Sequence, residues 1–100
     1  MALPPFIQHL EEYDPVFAQE IEKVLNLAMK ENSLDPKTRI LISLALDAAC
    51  GASEGVASLA RQAREIGVSE QEIADTLRLA YFITSIPTLK TSFNAFPKKD

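Results

Sequence analysis

Ile40-Leu41-Ile42-Ser43-Leu44-Ala45-Leu46-Asp47-Ala48-Ala49-Cys50 carries only two polar side chains, Ser43 and Asp47. A helix that is apolar nearly all round needs neighbours on every side. A few short helices rarely enclose one of their own fully. This stretch therefore predicts a buried helix and self-association, with a second copy covering part of the apolar surface.

Working outward, Asp35-Pro36 opens this helix: a capping carboxylate, then a proline whose missing N–H costs nothing at a first helical position. Asp14-Pro15 repeats the signal upstream. Phe17, Ile21, Val24, Leu25 and Ala28 follow it at helical spacing, and that helix should end near residues 30–32. Before it, Pro5, Phe6, Ile7 and Leu10 read as an arm or short helix within residues 1–13. After Cys50, Gly51-Ala52-Ser53 either breaks the helix or lets it continue through. Val56, Leu59, Ala60 and Ala63 form the next stripe, and Gly67 suits the left-handed position past a helix end. Ser69 with Glu72 is a capping box, and Val68 with Ile73 is a hydrophobic staple across it. The following helix carries Ile73, Leu77, Ala80 and Tyr81. It should stop before Pro87, because proline disfavours helical geometry at Ile86. A last short helix then spans about residues 87–96. Nothing reads as a strand. The expectation is an all-α, compact bundle of about five to six helices, with residues 14–97 as one domain.

Composition narrows the function classes. The chain has 100 residues, 10 cationic and 14 acidic, for a net charge of −4. That balance argues against a nucleic-acid or anionic-membrane surface. One cysteine and one histidine exclude an internal disulfide framework and a metal site built on several thiols or imidazoles. No apolar run reaches the roughly 18 residues of a membrane span, and no signal-peptide pattern opens the chain. A cytoplasmic protein without a cofactor is the expectation.

The residues Thr38-Arg39-Ile40-Leu41-Ile42-Ser43-Leu44-Ala45, then Leu59 onward to Gly67-Val68-Ser69-Glu70-Gln71-Glu72-Ile73, resemble the carboxymuconolactone decarboxylase family. The alkylhydroperoxidase D-like proteins share that superfamily. The resemblance covers about residues 34–96. It implies an alkylhydroperoxidase D-like helical fold and assembly as a homo-oligomer, a trimer or hexamer. It also implies peroxidase or decarboxylase chemistry. The redox branch carries a glutamate, a Cys-x-x-Cys pair and a histidine. Aligned without gaps from Arg39 to Gly67, those positions fall on Ile40, Ala52, Gly55 and Leu59. All four depart from the pattern, and the histidine of the decarboxylase branch is missing with them.

The remaining candidates are few. Cys50 is the one thiol: either a peroxidatic nucleophile or a small buried hydrophobe. Thiol activation wants a cation or a helix N-terminus, and Asp47 at i−3 together with a helix end supplies neither. Arg39, Ser43 and Asp47 recur every four residues as a polar line. They form either a pocket wall or a structural pairing with Arg61 or Arg78 of a neighbouring helix or subunit. Tyr81 and Thr84, one turn apart, either line a pocket or leave Tyr81 in the core with its hydroxyl at the rim. His9 reads as solvated. The leading reading is a non-redox helical oligomer with a pocket for a small organic molecule. The alternatives are a thiol peroxidase using Cys50, a non-catalytic assembly protein and, last, a true lactone decarboxylase. That last one would draw its proton donor from His9 of a partner, Tyr81 or a protonated Asp47.

Overall fold

The structure, a computed structural model, describes residues 4–98. They form five α-helices and a short 3₁₀ turn, with no strand among them. The helices are α1 (Pro5–Tyr13), α2 (Pro15–Met29), α3 (Pro36–Cys50), α4 (Ser53–Glu65) and α5 (Glu70–Ser92), and the turn is Phe93–Ala95. The fold is all-α, as the sequence predicts. Contacts divide the chain into two compact units, Met1–Asp35 and Pro36–Asp100.

In the first unit α1 packs on α2. One residue serves both helix ends. The Asp14 N–H donates to the Leu10 carbonyl (2.8 Å), while its side chain accepts from the Phe17 N–H (3.1 Å). Pro15 then begins α2, where no N–H is needed. Ile7 and Ala18 are the buried side chains here. The segment 1–13 is thus a helix from Pro5 onward.

The second unit holds the larger core. Ile40 and Leu44 of α3 meet Ala63, Val68 and Ile73, and Leu41, Val56, Leu59, Ala60 and Leu77 pack around them. Full burial of a side chain such as Leu44 contributes about 1.5–3 kcal/mol. Direction follows from two contacts. Lys37 in the first turn of α3 pairs with Glu72 in the first turn of α5. Ala48 and Ala49 in the last turn of α3 share a hollow with Tyr81 and Thr84. The two helices therefore run the same way, with α4 returning between them in sequence. From Thr84 onward α5 continues about 12 Å, at 1.5 Å per residue.

Both glycine signals are used. Gly51 at φ +75° ends α3, and Gly67 at φ +92° ends α4. At the second, the Gly67 N–H donates to the Arg64 carbonyl (3.1 Å) and the Val68 N–H to the Ala63 carbonyl (3.0 Å). That is a Schellman motif, closed by contact of buried Val68 and Ala63 in the core. Ser69 then caps α5: its Oγ accepts from the Glu72 N–H and the Glu72 carboxylate accepts from the Ser69 N–H, both at 3.0 Å.

One expectation fails. α5 does not stop before Pro87 but runs through it to Ser92, so no separate helix spans 87–96. Proline removes the bond to the Ile83 carbonyl, and Ile83 is exposed, where water can serve that oxygen. Hydroxyls on either side bond back to carbonyls of the same helix: Thr84 Oγ1 donates to Ala80 (2.7 Å), Ser85 Oγ to Phe82 (2.9 Å) and Ser92 Oγ to Thr88 (2.7 Å). Within the chain α3 is covered on one side. Ile42 is 45% exposed and Leu46 60%, because α4 and α5 cover only one side of the helix.

Candidate functional site

The first turn of α4 lies against the last turns of α3. Ser53, Glu54 and Gly55 are that turn, entered through Ala52. The Asp47 carbonyl accepts from the Ala52 N–H (2.9 Å). The half-buried Asp47 carboxylate rests directly on Gly55: a Cβ at position 55 would collide with Oδ2 and come within 2.9 Å of Cγ. Glycine at 55 is thus a condition for Asp47 to fold inward. Its spacing from Asp47 gives no sequence signal for this contact.

The polar line of α3 divides. Ser43 Oγ donates to the Arg39 carbonyl one turn back (2.8 Å), so its hydroxyl is engaged by its own helix. Arg39 is half-buried at the other end. Arg78 does not reach Asp47; it faces Asp75 of α5 at 3.5 Å. Arg61 is exposed on α4. Cys50, the final residue of α3, is exposed rather than packed. Tyr81 is 77% exposed, not a core residue, since it lies beside the core-facing row of α5. His9 is exposed, 3.7 Å from Glu12 Oε2 and edge-on to Tyr13.

A hollow of about 270 Å³ lies between α3 and α5, lined by Ala48, Ala49, Leu77, Ala80, Tyr81 and Thr84. The alanines facing one another leave the space, and the hydroxyls stand at one side. Of the sequence candidates, only Tyr81 and Thr84 line it; Arg39, Ser43, Asp47 and Cys50 do not. The facing alanines were the available signal, read only as apolar helix positions. No group of three His, Cys, Asp or Glu among the described residues is placed to hold a metal ion.

Charge is concentrated instead at the α4–α5 corner. Arg64 grips Glu70 with two hydrogen bonds, 2.7 and 2.9 Å. The hydrogen bond from Arg64, then its charge, hold the Glu70 carboxyl below its ordinary range, and Glu70 raises Arg64 in return. Lys37, and after it the Ser69 N–H, lower Glu72 in the same sense. These groups stabilise the corner and stand apart from the hollow.

Among the described residues, an apolar helix with Arg39 in its first turn, a glycine-ended second helix and a capped third define an all-α class. The family model of the carboxymuconolactone decarboxylase family matches residues 15–97, and the chain belongs to that family. No curated protein and no solved structure matches it. No helix among the described residues is long and apolar enough to cross a membrane.

Proposed function

We propose that this chain is a non-redox member of its family, a cytoplasmic helical homo-oligomer that binds a small organic molecule beside Tyr81 and Thr84. The observation that carries the non-redox reading is Asp47 on Gly55. The resemblance puts the second thiol of a redox pair at position 55, where this chain has no side chain and the Asp47 carboxylate stands; a side chain there would have to displace that carboxylate. The first thiol position, Ala52, precedes the helix without a capping side chain. Leu59, at the histidine position, packs against the core and has no proton to relay. The hollow of about 270 Å³ is near the small end of ligand sites, which suits a compact, mostly apolar molecule with an oxygen for the two hydroxyls. The exposed apolar faces of α3 and α5 support assembly.

A second reading has one observation behind it: Cys50 is exposed. As a peroxidase, its thiolate would attack a peroxide oxygen, giving a sulfenic acid and releasing water or an alcohol. Without a second cysteine an external thiol must then reduce it. The test is peroxide consumption with dithiothreitol as reductant, alongside intact mass, for the natural chain and Cys50→Ser. Equal, background-level consumption is expected. Turnover lost in Cys50→Ser would overturn the non-redox reading.

A further inference from the structure

Helix α5 is apolar on two opposite faces. Ile73, Leu77, Ala80 and Thr84 recur at 4-3-4 spacing and face α3 and the core. On the other side Leu79, Phe82, Ile86, Leu89 and Phe93 recur at 3-4-3-4 spacing. Four of these five are 60–65% exposed: Leu79 65%, Phe82 60%, Leu89 60% and Phe93 62%. Alternating three- and four-residue steps are the seam of a helix that packs on another helix with knobs in holes. No residue from Leu79 to Leu89 is charged. Exposed monomer surfaces rarely carry so regular an apolar stripe.

We propose that this seam binds the same seam of a second copy, antiparallel and across a two-fold axis centred near Ile86. This rests on the homo-oligomer reading above and assigns the surface. Three observations favour a copy of the chain as the occupant. An antiparallel pair sets Leu79 of one copy opposite Phe93 of the other and Phe82 opposite Leu89, so every large side chain meets another. Arg78 and Lys90 flank the uncharged stretch; a parallel pair would set each against its own copy, whereas the antiparallel pair separates them. With neighbouring Ile83, at 58% exposed, the stripe offers on the order of 600 Å², the larger part of the roughly 800 Å² each partner gives in a stable interface. An isologous contact of this kind allows a dimer or a hexamer, and not a bare trimer.

The experiment is sedimentation and light scattering of the full chain, of Phe82→Glu and of Leu89→Glu. These side chains are exposed in one copy, so helicity by circular dichroism should hold. The natural chain is expected to be an even-numbered oligomer, and each variant to halve its mass. A natural chain that is monomeric at tens of micromolar overturns both this assignment and the oligomer reading. Variants of unchanged mass overturn the assignment alone. A measurement on the natural chain decides the matter if either variant misfolds. On dilution through dissociation, amide exchange in residues 79–93 should accelerate; exchange that stays constant there overturns the seam.

Discussion

The two ends of α5 solve the same problem in different ways. Its first turn is specified by neighbours in sequence: Gly67 turns the chain, Ser69 and Glu72 exchange hydrogen bonds, and Val68 with Ile73 closes the apolar contact beneath them. Its later turns end on the Phe93 N–H, which donates to the Lys90 and Thr91 carbonyls, but have no such apolar closure beneath them. Pro87 sits inside the helix, and Leu79, Phe82, Ile83 and Leu89 stand open. The first end is stabilised within one chain. The second presents an exposed apolar surface. Local chemistry decides where a helix begins; what covers it depends on how many neighbours arrive.

The sharpest way to break this comparison is one substitution made twice. Ile73 is 7% exposed and Ile83 58%, ten residues apart on one helix. Ile73→Ala should cost about 2–5 kcal/mol, the range for emptying a packed core site. Ile83→Ala, measured at dilutions where only the single chain is present, should change stability by less than about 0.5 kcal/mol. Urea unfolding of both at low concentration checks the pair. Equal losses would mean that one chain already covers the back face of α5.

How legible the chain was follows from the same contrast. Residues 63–73 were readable because every partner lies within a few positions: the Gly67 turn, the capping box and the staple all appear as predicted. The start of α2 at Pro15 was readable for the same reason. Pro87 was misread because the rule for proline is a local preference: the one backbone bond it removes is to Ile83, which is exposed, and the helix continues past it to Ser92. The apolar residues of α3 were readable as needing cover on every side, but which of them the chain itself covers was not: α4 and α5 leave Ile42 and Leu46 exposed. For Tyr81 and Cys50 periodicity left two placements open, and the structure exposes both, with Tyr81 at the hollow. The contact of Asp47 with Gly55 joins residues on two helices across a turn, and no periodicity announces it.

A smaller effect tests whether the corner is as self-contained as its geometry suggests. Ser69→Ala removes the hydroxyl that accepts from the Glu72 N–H. Loss of an N-cap acceptor costs about 1 kcal/mol, and the loss should be the same at every protein concentration. A loss that vanished in the assembled state would tie the corner to the interface and erase the distinction between the two ends of α5.

The smallest effect is electrostatic. Glu72 is held below its ordinary carboxyl range first by Lys37, then by the Ser69 N–H. In the unfolded chain it titrates near the ordinary value of about 4.3. Below that pH the unfolded state binds a proton that the folded state still refuses, so stability falls as pH falls. The contribution is fully present above about pH 5 and disappears as pH drops through the folded value. Glu70, lowered by Arg64, acts in the same window. Both carboxylates are exposed, so screening keeps their effect modest. Glu72→Gln retains the reciprocal hydrogen bond, since glutamine serves at that position of a capping box, and removes only the charge. Melting temperatures from pH 6 to pH 3 should therefore fall less steeply for Glu72→Gln than for the natural chain. In 0.5 M salt the gap should narrow without closing, because salt screens Lys37 but leaves the Ser69 N–H in place. Parallel curves would show that Lys37 and the cap do not favour the charged form, and that the corner is held by its apolar staple and hydrogen bonds alone.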